Sequence, residues 1–512
     1  MADLEAMRLR FESGETRPLR WRQTQLKQVL ALISNNSEAL CAAMAKDLGK
    51  SAQETRITDL NTVEAEVNFA LANVAGWMQP QDVPTPGILA PCWSSIVPEP
   101  RGIVLIVAPY NYPINLALAP LVGALAAGNC VVLKPSELTV HVAAALAALI
   151  PKYFEPEVVS VVLGAADVTT KLLAEPWGLV FFTGSERVGK IVAAACAATL
   201  TPVVLELGGK CPVYVDGECP DLGVVANRLV WGKCLNAGQT CLAPDLVVVD
   251  SAVVDSLEPR LVGALDEFFG GDVANSPDFA RICTVAQAER LVAIIQEAEK
   301  AGAVVVCGGS KMCDAQRKYV APTVLRCDAL LLSAPTAKIL TEELFGPVLV
   351  LVSAPGAAGA IDLLRAAYPR QSRTPLALYV FTTNSATADR VSAAVPSGAV
   401  MRGDVILHFC NPHLPFGGAG TSGSGRCHGR FSFEAFTHFR SFAHKPCLAE
   451  FGGLRYPPYD KFGGRSGAIF EQLTLALPDV PVAPRRALAL CALAVFAAVI
   501  LSQGGARRAA PP

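Results

Sequence analysis

The sequence predicts an α/β protein with two doubly wound, Rossmann-like units. Short, continuously apolar runs rich in Val, Ile and Leu alternate with helix-length segments, first between about 100 and 207 and again from 208 to 400. Strands apolar on both faces belong to parallel sheets covered by helices, because a sheet with one wet face alternates polar and apolar residues instead. A chain of 512 residues also exceeds what a single core serves, so it divides into domains.

The elements follow in order. Residues 1–80 read as helices: "LKQVLALISNNSEALCAAMAKDLGK" and "TDLNTVEAEVNFALANVAGWM" carry apolar residues at helical spacing. A Pro/Gly-rich connector, "QPQDVPTPGILAPCW", interrupts them. Alternation then begins. "GIVLIVAP" is a strand, "PINLALAPLVGALAAG" a helix stopped by Gly128, "NCVVLKP" a strand, "HVAAALAALIPKYF" a helix and "VVSVVLG" a strand. "GLVFFTGS" and "TPVVLELGG" continue the rhythm, which restarts in "DLVVVD", "AGAVVVCGG" and "ALYVFTTN".

Composition excludes several classes. Lys and Arg number 43 against 45 Asp and Glu, so no basic footprint for nucleic acid exists. The N-terminus has no apolar stretch of signal-peptide length, so the body of the protein is expected in the cytosol. The 16 cysteines are scattered, and a reducing compartment makes most of them small buried hydrophobes. No CxxC pair occurs, and Cys427 with His428 has no second pair at zinc spacing, so no metal is expected.

Four segments carry candidate chemistry. "FFTGSERVGK" sets Gly184, Ser185 and Gly189 between a strand and a helix, where glycines admit close backbone approach and a helix N-terminus favours an anion. Its GxxxxGK spacing lacks the Ser or Thr a triphosphate loop needs, because Ile191 follows Lys190. It lacks GxGxxG as well, so a dinucleotide turn and a plain strand-to-helix turn both stay open. "VVLKPSE" brings Lys134 and Glu137 to a strand's carboxyl end, to bind ribose or to sit as ordinary solvated charges. Glu206 in "VVLELGGK" is a carboxylate among apolar residues, poorly solvated and suited to general-base work; its other reading is an ion pair, with Lys210 nearest. Cys241, in "LNAGQTCLAP", follows Gly238 and is either a nucleophile or one more buried thiol.

Seven motifs in order sharpen these readings: "PYNYP" (109–113), "KPSE" (134–137), "FTGS" (182–185), "LELGGK" (205–210), "NAGQTC" (236–241), "EELFGPV" (342–348) and "LPFGGAGTSGSGRCHG" (414–429). Together they resemble the aldehyde dehydrogenase family from about residue 5 to 460. "RYPPYDKF" (455–462) resembles its class 3 branch, the group that includes the microsomal fatty aldehyde dehydrogenase.

The resemblance implies that Cys241 attacks the aldehyde carbon, that its own N–H and the Asn111 amide hold the oxyanion, and that Glu206 activates water. It implies NAD as cofactor, with NADP the alternative. Lys134 and Glu137 would bind the adenosine ribose, Gly184 and Ser185 would line the first βα turn with Gly189 behind them, and Glu343 and Phe345 would place the nicotinamide ribose and ring. It further implies a homodimer and a small β bridging element. The expected domains are 1–80 with 101–207 for NAD(P), 208–400 for catalysis, 81–100 with 401–445 for oligomerisation, and 446–484 as linker. The chain departs from the family at "VMRGDVILH", where Arg402 and Gly403 stand in place of the usual Asn. Retention of Asn111, Glu206 and Cys241 together argues against the alternative, an inactive structural or binding protein of the same fold.

The run "ALALCALAVFAAVILSQGG" (487–505) lies between Arg485–Arg486 and Arg507–Arg508. As a helix it spans roughly 28 Å, close to the ~30 Å hydrocarbon core. A membrane anchor over 485–508 is expected, facing the catalytic body to the cytosol and, by the microsomal relative's similar tail, at the endoplasmic reticulum. An interfacial helix and a buried subunit contact are the rival readings. Upstream, "SGAIFEQLTLAL" is expected to form a short amphipathic helix at the substrate mouth, with Ile469, Phe470, Leu473 and Leu477 on one face.

Overall fold

The computed structural model describes residues 2–86, 89, 92–327, 337–368, 373–447, 456–458 and 479–480. The expected tail anchor and the short helix within 466–478 lie outside the described residues. Among the described residues no helix is long and apolar enough to cross a membrane.

Contacts divide the chain into two units. The first takes the N-terminal residues through Val74 together with Pro100–Phe436 and holds both large sheets. In chain order the strands of its first sheet are β1 (Ile103–Val107), β2 (Cys130–Lys134), β3 (Val159–Val161), β4 (Leu179–Thr183) and β5 (Val203–Glu206). The second sheet has β6 (Cys211–Val215), β7 (Pro244–Asp250), β8 (Val304–Cys307), β9 (Thr323–Cys327), β10 (Val348–Ala354), β11 (Ala377–Phe381) and β12 (Ala399–Arg402). A short β13 (Gly423–Ser424) returns to the edge of the first sheet.

The first sheet is ordered β13-β5-β4-β1-β2-β3, and every pair is parallel except the β13 edge. Strand order reverses between β1 and β4, the place where open α/β sheets bind ligands beyond their strand ends. The second sheet is ordered β8-β9-β10-β7-β6-β11-β12 and is parallel except for β8 at its edge. Both doubly wound sheets are therefore present as the sequence predicts. Their inner strands are almost wholly buried, while β3, β8 and β12 at the edges are partly exposed, and Val213, Val247, Leu351 and Leu378 are fully enclosed. Each such side chain contributes about 1.5–3 kcal/mol by leaving water.

The N-terminal region is helical, with helices Leu4–Glu12, Leu19–Leu48 and Asn61–Trp77. A π-helical turn, Arg56–Leu60, precedes the last of these. The helix after β1, Asn115–Ala127, ends at Gly128 in the left-handed conformation, as its position in sequence suggests.

Four residues, Leu207–Lys210, carry the chain from the end of β5 in one sheet to the start of β6 in the other. That crossing puts Glu206 at the last position of the first sheet. The helix Leu222–Cys234, capped by Asp221, then delivers the chain to the segment before β7. Cys241 sits there, at the entry to the second sheet.

The second unit takes Ala75–Glu99 and the segment from Thr437. It contains a three-stranded sheet in which Gln81–Val83, Trp93–Pro100 and Thr437–His444 lie side by side in that order.

Candidate active site

The segment before Cys241 holds an unusual backbone. Asn236, Ala237 and Gly238 all have positive φ, at 53°, 51° and 75°. Two successive non-glycine residues in this region are strained, and such strain persists only where surroundings over-determine it. Here they do. The Asn236 N–H donates to Glu54 Oε1 at 2.8 Å, and its side-chain amide donates to the Asn111 carbonyl at 2.7 Å. Gln239 is bound from both ends of its amide: Nε2 donates to the Asn236 and Arg281 carbonyls, and Oε1 accepts from the Cys283 N–H. Gly238 packs so tightly on the Gly346 carbonyl that a Cβ would lie 2.2 Å from the oxygen.

Behind this segment lies a buried charge cluster. Lys50 Nζ is 2.8 Å from Asp59 and sits 4.3 Å from the centre of the Tyr112 ring, and the Tyr112 hydroxyl is 2.5 Å from that of Thr240. Burial pushes the Glu54 carboxyl above its ordinary range, against the pull of Lys50.

Asn111, three residues into the segment that follows β1 and its Ala108, is buried with its amide donating to the Gln239 carbonyl at 3.0 Å. It is thus fastened to the same loop as Cys241. The Cys241 thiol is pushed up to about 12 by burial first, then by the facing carboxylates of Glu343 and Glu206, while the N–H groups of Cys241 and Leu242 pull it down. Cys211 Sγ donates to the Cys241 carbonyl at 3.2 Å.

Glu206 is buried, and burial raises its carboxyl well above the ordinary range. Oε1 meets Cys427 Sγ at 3.5 Å, and Oε2 has no protein partner. Lys210, the ion-pair partner the sequence left open, is engaged elsewhere, 3.2 Å from Asp245. Asp245 also faces Lys233 and accepts from the Leu344 N–H, so it holds the 342–346 segment against the second sheet.

That segment carries Glu343 and Phe345. The Glu343 carboxyl is pushed up to about 7 by burial, opposed by a hydrogen bond from the Gly209 N–H. A Cβ on Gly208 would lie 2.2 Å from Glu343 Oε2, so the carboxylate fills the space that the glycine leaves. Phe345, at φ 52°, meets the Tyr110 ring edge-on with centroids 6.0 Å apart.

At the switch point, Gly184 follows β4, and Ser185 caps the helix Glu186–Thr199. Gly189 lies within that helix, and a Cβ there would strike Leu207 at 2.6 Å, so its role in the fold is helix-to-chain packing. At the end of β2, Lys134 Nζ lies 2.6 Å from Glu137. Burial pushes the Glu137 carboxyl up, but the Lys134 hydrogen bond and charge hold it below the ordinary range.

One cavity collects much of this chemistry. Glu206, Cys241, Cys427 and His428 line it, within walls that include Leu116, Phe181, Trp231, Ile406, Phe409 and Phe416. Sequence reasoning missed Glu66, Asn115, Cys427 and His428 as wall residues. Nothing local marks Glu66 and Asn115, and Cys427 and His428 stand in a quoted motif without a role, since each reaches the cavity only through the fold. At the departure noted in sequence, Arg402 pairs with Asp389, and the Arg228 guanidinium donates to the Gly403 carbonyl.

A match to the model of the aldehyde dehydrogenase family covers residues 2–442. The chain belongs to the aldehyde dehydrogenase family. As a member it is an oxidoreductase acting on aldehydes. It is 42% identical to aldehyde dehydrogenase family 3 member B1 of Bos taurus over 458 residues, 89% of this chain and 94% of that protein. Among solved structures, the substrate-bound Staphylococcus aureus AldH aligns with a TM-score of 0.84 and 36% identity, covering 91% of this chain and 98% of that one. An indole-3-acetaldehyde dehydrogenase complexed with NAD+ aligns at 0.76 and 26% identity, over 86% and 88%. The class 3 branch indicated by "RYPPYDKF" is thus the one this enzyme matches.

Proposed function

We propose that this enzyme oxidises medium- to long-chain aliphatic aldehydes to carboxylic acids with NAD(P). The observation that carries the reading is the opening of Cys241 and Glu206 onto one cavity with mainly apolar walls. Such walls hold an alkyl chain by its removal from water. The thiolate of Cys241 adds to the aldehyde carbon, and the oxyanion that forms is held by the Cys241 N–H and the Asn111 amide. When bound, the nicotinamide supplies the acceptor for hydride, and a thioester on Cys241 results. Glu206 then takes a proton from water, which attacks the thioester and releases the acid.

The residues present fit a dinucleotide. Ser185 opens a helix N-terminus at the switch point, Gly184 precedes it and Gly189 sets the helix against Leu207. Lys134 and Glu137 offer a donor and an acceptor to ribose hydroxyls, and the carboxylate favours NAD over a 2′-phosphate. Glu343 and Phe345 would take the nicotinamide ribose and ring.

The reading extends to the whole chain: a homodimer, anchored by 485–508 in the endoplasmic-reticulum membrane with its catalytic body in the cytosol. The apolar run between two arginine pairs supports the anchor. The deciding assay is NADH formation by the purified protein with a long-chain aldehyde, beside Cys241→Ser. Turnover should fall at least 1,000-fold, on the order of the loss of a covalent nucleophile. Turnover that survives the substitution would assign the chemistry to another residue.

A further inference from the structure

The substrate cavity has one wall that is not apolar. Thr58, Thr62 and Glu66 all line it, spaced four apart along the π turn and the helix that follows. Side chains at that spacing lie on one face. Glu66 is buried, and its oxygens accept from the Gly429 N–H at 3.1 Å each, while Oε1 also contacts His428 Nδ1. A carboxylate is acceptor-only, so Nδ1 carries the hydrogen in this contact. Nε2 is then the ring atom left for a ligand, as an acceptor in the neutral ring or a donor in the imidazolium.

Nε2 is the unexplained atom. His428 is 7% exposed, it lines the cavity, and its Nε2 is buried without a protein partner. Phe409 stacks on the ring at 5.0 Å, and the His428 backbone N–H donates to Ser432 Oγ at 2.8 Å, holding the residue's main chain in place. A second unpartnered polar atom lies on the same wall: Asn115 Oδ1 is buried without a protein partner, while the Asn115 amide donates to the Thr58 carbonyl. Buried polar atoms ordinarily have partners, and a hydroxyl, donor and acceptor at once, complements both the ring nitrogen and the amide oxygen.

We propose that His428, positioned by Glu66, is a hydroxyl-recognition point in the substrate cavity, selecting hydroxylated aliphatic aldehydes over plain alkanals of equal length. The inference rests on the proposed aldehyde oxidation and names the substrate class of that same site. A wholly apolar tunnel has the opposite preference, because burying a hydroxyl without a partner costs more than burying a methyl group. The Asn115 oxygen extends the polar stripe toward Thr58 and gives a hydroxyl at a second depth an acceptor.

The test compares kcat/KM for a matched series of ω-hydroxyalkanals and n-alkanals with the full chain in detergent and saturating NAD. The parent should prefer the hydroxyaldehyde on the order of tenfold, peaking at the chain length that brings the hydroxyl to His428. His428→Phe should bring the ratio to one or below, through KM more than kcat. His428→Gln, which keeps an acceptor, should retain part of the preference. A parent ratio at or below one at every length overturns the inference without recourse to any variant. So does a preference that persists in His428→Phe. Failure of the parent to oxidise either series would instead overturn the proposed function beneath it.

Discussion

At the scale of single residues, Glu206 shows how a fold makes a base. Oε1 has only a thiol for partner and Oε2 none, and desolvation raises the carboxyl well above its ordinary range. Two consequences follow with opposite pH signs. A base must be ionised, so thioester hydrolysis strengthens as pH rises through the elevated value. Stability moves the other way, because between the unfolded carboxyl's value near 4.3 and the raised one the native state holds the extra proton. The contribution is full below the unfolded value and is lost as pH rises through the folded one. Glu206→Gln should therefore release about one equivalent of NADH per site and then stall, and its Tm advantage over the parent should grow between pH 5 and pH 8. Rapid-mixing absorbance and scanning calorimetry read these outcomes, and multiple turnovers at the parent rate would remove Glu206 from the hydrolytic step. The carboxylate at a strand's end was legible in "VVLELGGK". The identity of its neighbours was not, because Cys427 arrives from a distant segment and Lys210 is claimed by Asp245.

At the scale of elements, the segment 235–241 depends on contacts from three other parts of the chain: Glu54, Arg281 with Cys283, and Gly346. "NAGQTC" announces a sharp turn through Gly238 but says nothing of what it packs against. Gly238→Ala combines a Cβ at φ 75° with backbone atoms at 2.2 to 2.8 Å, none of which is a yielding side-chain end. The cost should be about 2–5 kcal/mol from left-handed strain and overpacking together. A lowered Tm with turnover falling at least in step is expected; unchanged values of both would mean the loop is not held as described. The same scale explains which strands were readable. Runs such as "IVLIV" and "LVVVD" declare themselves, whereas β6, "CPVYV", contains a proline that usually excludes a central strand. Pro212 is accommodated where the register with β7 shifts between Pro244 and Leu246, three residues beyond Cys241 at its near end.

At the scale of the whole molecule, the sequence divides what the catalytic unit does from where it works. If the tail anchors the enzyme, a chain ending at residue 484 should leave the membrane fraction on flotation while its turnover of a water-soluble aldehyde persists; a truncated chain that still floats would locate the attachment elsewhere. The proposed homodimer has a separate physical basis. Thr437–His444 is the outer strand of its three-stranded sheet among the described residues, and it is exposed at every position but Thr437. Phe439 and Phe442, 44% and 46% exposed, fall on opposite faces because three positions separate them. An open strand edge with an aromatic ring on each face is a liability in a monomer and a natural seam for a second copy. Phe439→Asp with Phe442→Asp should therefore shift sedimentation in detergent from twice the chain mass to once, with far-UV circular dichroism unchanged. A double variant that sediments as a dimer would place the seam on another surface, and a parent that sediments as a monomer would remove the dimer altogether.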